Sequence, residues 1–292
     1  MNTFPKFITG FWRLAGWNMR GNDLLSFVKQ NLDLGIDWFD HADIYGGYSC
    51  EAIFGEALAL EPGLRNHFRL ITKCGIKLKE GRFPDLRLNY YDTGKEHIIA
   101  SVEFSLKNLH TDHIDLLLIH RPDPLMDADA VAEAFTELKN SGKVLSFGVS
   151  NFTPFQVDLL ASRLPFELVA NQVEFSVMYV NPAHDGTLDQ CQQRRIAPLA
   201  WSPLAGGRLF NEQSEQAGRI RETLNTISYE LGGASYDQIA LAWVMKHPSQ
   251  VIPVLGSGNI QRIESAVKAL DIQLTREQWF MLWVASVGHR VP

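Results

Sequence analysis

Short apolar runs and amphipathic stretches alternate eight times along this chain with no break in composition, and that repeat restricts the folds open to it. Strands are expected over residues 7–12, in the runs that end at Asp40 and at Lys73, over Ile114–Ile119 just before His120, and over 144–149, 169–173, 197–201 and 251–255. Between them the helical period predicts helices over 22–34, 49–60, 94–109, 127–141, from Pro154 onward, and over 187–194, 236–246 and 259–270. The first shows the pattern well, with Leu24, Leu25, Phe27, Val28 and Leu32 on one stripe. Punctuation agrees: Gly142 stops one helix, Thr153-Pro154 opens the next with a cap and a proline at its first position, and Pro248 follows the end of another.

Nearly continuous apolar strands suit a parallel sheet covered on both faces. Eight strand–helix pairs therefore predict an α/β protein, a closed (β/α)8 TIM barrel forming a single domain over residues 1–292. A doubly wound sheet would carry a glycine fingerprint after its first strand. Gly10-Phe11-Trp12-Arg13-Leu14-Ala15-Gly16 does not fit G-x-G-x-x-G. Two helices are expected beyond the repeat, one over 214–231 after the seventh strand and one over 275–286, capped by Thr275. The long segments 75–93 and 202–233 follow strands three and seven, on the face where such barrels carry their sites.

Composition narrows the function. A formal net charge of −6 argues against nucleic-acid binding, which favours a basic face. No apolar stretch approaches the roughly 18 residues of a spanning helix, so no membrane role is expected. The opening Met1-Asn2-Thr3-Phe4-Pro5-Lys6 lacks the apolar core of a secretory leader, which makes the cytoplasm the expected compartment. Three scattered cysteines, Cys50, Cys74 and Cys191, form neither a disulfide framework nor a zinc site, and no metal is expected. Cys74 stands out because the neighbouring Lys73 ammonium could lower its thiol pKa.

Asp40, Tyr45, Lys73 and His120 fall at, or just past, the ends of three successive strands. Singly, each has an ordinary structural explanation as a cap, a packing residue or a solvated charge. Together they supply what carbonyl reduction requires. A phenol is a sluggish acid near pKa 10, an ammonium stabilises its conjugate base, an imidazole orients the substrate oxygen, and a carboxylate keeps a buried lysine charged.

Phe39-Asp40-His41-Ala42-Asp43-Ile44-Tyr45-Gly46 resembles the F-D-T-A-x-x-Y-G segment of the aldo-keto reductases. Further resemblances are Thr72-Lys73-Cys74-Gly75, Ile114 through His120, Gly148-Val149-Ser150-Asn151-Phe152, Asn171-Gln172-Val173-Glu174, Trp201-Ser202-Pro203-Leu204 and Ile252-Pro253-Val254-Leu255-Gly256-Ser257, in order along the chain. Within the family the chain is most similar to bacterial oxidoreductases that read His-Ala-Asp-Ile-Tyr-Gly-Gly. The resemblance implies an NADPH-dependent enzyme that reduces a small aldehyde or ketone, with Tyr45 as general acid and Asp40, Lys73 and His120 completing the catalytic set. It implies that Ser150, Asn151 and Gln172 bind the nicotinamide carboxamide, that Trp201 stacks on the ring, and that Ser202, Leu204, Gly206 and Gly207 lie against the pyrophosphate. Ser257 and Arg262 correspond to positions that hold the 2′-phosphate of NADP(H), and Trp12 and Arg13 join the cofactor set. Gly256 replaces a frequent Lys and Ala266 a frequent Asn, so weaker selection against NADH is expected.

Phe11, Trp12, Trp17, Phe83, Tyr90 and Tyr91 come from the first- and third-strand loops and are candidates to wall a substrate pocket. No obligate protein partner is evident. Two other functions fit parts of the pattern. One is a nucleotide-binding regulatory or interaction module of the same fold, against which the intact four-residue set argues. The other is a cofactor-free lyase in which Lys73 forms a Schiff base.

Overall fold

The computed structural model describes residues 4–292; Met1–Thr3, part of the segment read for a leader, lie outside them. Eight parallel strands close into a barrel in the order β1-β10-β9-β8-β7-β6-β3-β2. They are β1 (Ile8–Gly10), β2 (Trp38–Asp40), β3 (Arg69–Cys74), β6 (Ile114–Ile119), β7 (Val144–Ser150), β8 (Ala170–Glu174), β9 (Ala197–Trp201) and β10 (Ile252–Leu255). The remaining two, β4 (Ile76–Lys77) and β5 (Tyr90–Tyr91), pair antiparallel as a small hairpin inside the long segment after β3, where no strand is expected from the sequence.

The chain divides into two compact units. One holds Ile8–Asn171 with Gly256–Gly258. Its strands are in register, with Gly10 opposite Asp40, Asp40 opposite Ile71 and Lys73 opposite Leu118. Buried polar side chains tie strands to their neighbours here. Asp115 on β6 accepts from the backbone N–H of Leu70 on β3 (2.9 Å) and from Arg65 (2.8 Å). Thr9 donates to Asn31 on the helix Gly21–Asp33 (2.6 Å). These pairings satisfy groups that would otherwise be costly to bury.

The other unit holds the stretch up to Phe7, Gln172–Leu255 and Asn259–Pro292. Its core gathers Phe175, Leu188, Ile220, Leu224, Ile227 and Trp243. Trp243 and Trp279 stack face to face (4.9 Å, 7°), and each indole N–H donates to the other residue's carbonyl (2.9 and 3.1 Å). The expected extra helices are present as Glu215–Glu230 and Arg276–Val287, the latter started by a full capping box at Thr275 and Gln278.

Three boundaries differ from expectation. The helix expected over 49–60 starts earlier as a separate turn, Tyr45–Tyr48, because Gly46 (φ 60) and Gly47 (φ 63) are left-handed and interrupt it before Cys50–Leu58. The helix expected over 259–270 is α-helical only over Ile260–Val267 and tightens to a 3-10 turn over Lys268–Asp271. The first strand is three residues long rather than six, since Phe11 already turns to donate to the Asp40 carbonyl.

Candidate active site

Asp40 ends β2, Lys73 is the last residue but one of β3, and His120 follows β6 directly. Tyr45 opens the short turn after β2. Strand pairing brings these together because β2, β3 and β6 are neighbours in the barrel. Lys73 is fully buried, and its ammonium donates to both oxygens of Asp40 (2.7 and 2.8 Å), to the His41 carbonyl (2.7 Å) and to the Tyr45 hydroxyl oxygen (2.9 Å). The Tyr45 and His120 rings meet edge to face at 5.8 Å.

This hydrogen-bond set has a direct chemical reading. An ammonium has three hydrogens and no acceptor. Asp40, the His41 carbonyl and Tyr45 account for all three, so the nitrogen has no lone pair free for a carbonyl carbon. Because Lys73 donates to the phenol oxygen, the phenol's own hydrogen points away from it. Burial lowers the Lys73 pKa, and the Asp40 carboxylate opposes that shift. Burial, with the Asp40 charge adding to it, pushes Tyr45 well above its usual value, while Arg121 opposes the rise. Burial and the Lys73 and Arg121 charges hold His120 well below the ordinary histidine value, so its imidazole is neutral.

Behind the rim lies a second polar layer. Glu51 accepts from Thr72 (2.5 Å), and burial raises its carboxyl to about 7. Asp43 is buried and also raised, first by burial and then by the Glu51 charge. His41 is wholly buried, stacked on Phe11 (4.8 Å, 6°) and edge-on to Phe54 (4.5 Å), with neither ring nitrogen hydrogen-bonded. Burial lowers its pKa to about 3.

Cys74 corrects an expectation. Alternation along β3 sends its side chain away from that of Lys73, it is buried, and burial raises its thiol rather than lowering it. Cys50 and Cys191 are also buried and raised, Cys191 to about 12. Phe11 is wholly buried among aromatic rings, which removes it from the candidate pocket walls. Trp12 is 60% exposed beneath the Arg13 guanidinium (5.1 Å), and Tyr90 and Tyr91 are exposed on the hairpin. Lys77 sits over the Phe83 and Tyr90 rings and pairs with Asp92 (2.6 Å), which braces that hairpin.

The positions expected to hold the cofactor lie at strand ends or turns. Ser150 ends β7, is buried, and accepts from the Asn151 amide (2.7 Å). Asn151 is left-handed (φ 61), a conformation that Asn tolerates and most side chains do not. In the other unit, Gln172 is buried on β8, and Trp201 ends β9 half-buried. Ser202 (φ 50), Ala205 (φ 52), Gly206 (φ 65) and Gly207 (φ 98) follow in left-handed backbone, with Leu204 half-buried among them. The loop is closed by its own turns, with the Ala205 and Gly207 N–H groups donating to the Ser202 and Leu204 carbonyls (2.7 and 3.0 Å). Arg262 is exposed in the first turn of Ile260–Val267, whose N-cap is Asn259. Ala266 is buried with Ile263 on that helix, so its side chain serves packing.

Reading strand ends alone overlooks Arg121, whose charge acts on both Tyr45 and His120, and the Asp43–Glu51 layer. Acidic residues directly after a strand end and one turn into the next helix were the available signal. Among the described residues no His, Cys, Asp and Glu cluster could hold a metal ion, and no helix is long and apolar enough to cross a membrane.

Residues 6–283 match the model of the Aldo/keto reductase family, and the chain belongs to that family. It is 53% identical over 289 residues to "Oxidoreductase YdhF" of Escherichia coli (strain K12), covering 99% of this chain and 96% of that protein. It is 42% identical over 287 residues to the "6-dehydroglucose reductase" of Agrobacterium fabrum (strain C58), covering 98% and 95%. Among solved structures, the thermostable aldo-keto reductase Tm1743 superposes with a TM-score of 0.81 at 26% identity, over 97% of this chain and 95% of that one. The chain is thus an oxidoreductase of aldo-keto reductase type on a (β/α)8 barrel.

Proposed function

We propose that the protein is an NADPH-dependent reductase of small aldehydes or ketones that acts in the cytoplasm as one domain, without an obligate protein partner. The observation that carries this reading is the commitment of Lys73. Its ammonium is held by Asp40, the His41 carbonyl and the Tyr45 oxygen, so Tyr45 is the group left to give up a proton. When bound, the nicotinamide supplies a hydride to the carbonyl carbon. Tyr45 then donates its proton to the oxygen as negative charge grows there, and Lys73 stabilises the phenolate left behind. Neutral His120, beside the phenol, donates a hydrogen bond that orients the carbonyl oxygen.

The same commitment argues against the Schiff-base lyase, which needs an unprotonated, unencumbered lysine. Ser150, Asn151, Gln172 and Trp201 would hold the nicotinamide. Ser202, Leu204, Gly206 and Gly207 would lie on the pyrophosphate, Ser257 and Arg262 would take the 2′-phosphate, and Trp12 and Arg13 would complete the set. Gly206 and Gly207 support the pyrophosphate assignment, since residues without a Cβ permit close backbone approach to an anion. The relative named for 6-dehydroglucose adds oxidised sugars to the carbonyl compounds worth screening.

The test is equilibrium binding of NADPH and NADH, followed by turnover of an aldehyde panel by wild type and Tyr45→Phe. Tight NADPH binding, measurable turnover, and a loss of about a hundredfold or more in Tyr45→Phe with cofactor affinity retained are the expected results. Unchanged turnover in Tyr45→Phe would remove the residue from the acid role.

A further inference from the structure

Gly258 sits directly against the indole of Trp17. A Cβ at position 258 would lie 2.5 Å from Cδ2, 2.8 Å from Cγ and 2.9 Å from Cε2 of that ring. These three atoms surround the inner part of the indole, so the backbone meets the body of the ring rather than a movable tip. The φ of Gly258 is not in the left-handed region, and its glycine character answers to the indole. Gly256, two residues earlier, has open space where its Cβ would be. The two glycines that flank Ser257 therefore do different jobs.

Trp17 is well fixed for such a contact. Its backbone N–H closes the 3-10 turn Leu14–Gly16 by donating to the Leu14 carbonyl (3.1 Å). Its ring packs against Phe11 (5.5 Å, 53°) and Phe27 (5.7 Å, 68°), which are themselves in contact at 6.3 Å. Phe11 is wholly buried and Phe27 nearly so. Close-packed rings give way little, so the indole acts as a stop against which the turn rests.

We propose that Trp17 is a positioning residue for cofactor choice: it sets the place of the Gly256-Ser257-Gly258 turn, and so of the Ser257 hydroxyl and nearby backbone N–H groups that meet the 2′-phosphate of NADP. This rests on the assignment of Ser257 to that phosphate. Hydrogen bonds to a charged acceptor are short and directional, so a turn free to drift loses them steeply. NADH has no phosphate there and is indifferent to the drift. A residue in the loop after the first strand thereby governs selectivity at a turn more than two hundred positions away in sequence.

Dissociation constants for both cofactors, measured on wild type, Trp17→Ala, Trp17→Phe and Gly258→Ala, test the proposal. Trp17→Ala should weaken NADPH about tenfold, the worth of one hydrogen bond to a charged group, and leave NADH within about twofold. Trp17→Phe should restore most of the difference, and Gly258→Ala should reproduce the NADPH-selective loss by pushing the turn off the ring. Without cofactor, amide hydrogen exchange at residues 256–258 should rise in Trp17→Ala. Equal changes for both cofactors, or none, in variants with wild-type circular dichroism would overturn the positioning role. If wild type itself showed no preference for NADPH, the phosphate assignment would fail, and the proposal with it. Should Trp17→Ala not fold, Trp17→Leu and Gly258→Ala carry the same comparison.

Discussion

Lys73 concentrates the chemistry of the site and part of its stability. On sequence alone, Lys73→Met is expected to spare the fold. The structure gives a different expectation, because the buried Asp40 carboxylate would lose the opposite charge of the Lys73 ammonium. Breaking a buried pair from one side costs about 3–5 kcal/mol. Lys73→Met should therefore melt well below wild type, and the double variant Asp40→Asn/Lys73→Met should recover part of the loss in a thermal scan. The pH profile offers a second test. Tyr45 is raised and His120 lowered, so both stay neutral across the physiological range. Carbonyl reduction should show no inflection near pH 6.5 and should fall only in the alkaline limb, as followed by kcat against pH. His41 contributes to acid stability alongside His97 and His120, whose pKa values burial also lowers. Its folded-state pKa of about 3 lies below the ordinary 6.5, so the unfolded chain takes up that proton first as pH falls. Stability is lost below pH 6.5 at about 1.4 kcal/mol per pH unit. Glu51, raised from 4.5 to about 7, works in the opposite sense, since it loses stability as pH rises from 4.5 to 7. Below pH 4.5 only the histidine effect remains of the two. His41→Phe should move the acid-unfolding midpoint, read by circular dichroism, to lower pH; a midpoint unmoved would show that His41 is not among the groups titrating.

Packing between elements depends on a few close approaches. The helix Cys50–Leu58 meets the end of the helix Lys95–Asn108 at Gly55, where a Cβ would fall 1.9 Å from the Asn108 carbonyl oxygen. Replacing a mid-helix glycine by alanine ordinarily gains about 0.5–1 kcal/mol. Here the overlap with backbone outweighs that gain, since overpacking costs about 1–3 kcal/mol. Gly55→Ala should lower the melting temperature; a rise would mean that the two helices can move apart. Most elements were legible because their signals are local. Strand runs, the helical stripe of Leu24, Leu25, Phe27 and Val28, and the caps Thr153 and Thr275 all rest on side chains a few residues apart. The β4–β5 hairpin was not legible. Each strand has two residues, and what braces it is the cage of Lys77, Phe83, Tyr90 and Asp92, which no periodicity records.

For the whole molecule, cofactor affinity becomes stability by linkage. A ligand present at a hundred times its dissociation constant stabilises the folded state by about 2.7 kcal/mol. At roughly 2–4 °C per kcal/mol for chains approaching this size, saturating NADPH should raise the melting temperature by roughly 5–10 °C. NADH at the same concentration should raise it less, and Arg262→Ala should narrow the gap between them. Equal shifts for both cofactors in wild type would remove Ser257 and Arg262 from the phosphate role.

The order of strands and helices, the barrel they imply and the positions of Asp40, Tyr45, Lys73 and His120 at strand ends are properties of the sequence itself. Strand alternation and helical period are written at separations of two to four residues, and a strand end is visible wherever an apolar run stops. Protonation, exposure and contact were decided only by tertiary structure. Cys74 stands beside Lys73 in sequence, yet burial and opposite orientation make its thiol weaker as an acid, not stronger. His41 stands beside Asp40, yet packing against Phe11 and Phe54 keeps it neutral. Trp17 and Gly258 meet only in the fold. Desolvation and close contact depend on every atom within a few ångströms, and most of those atoms come from residues far away along the chain.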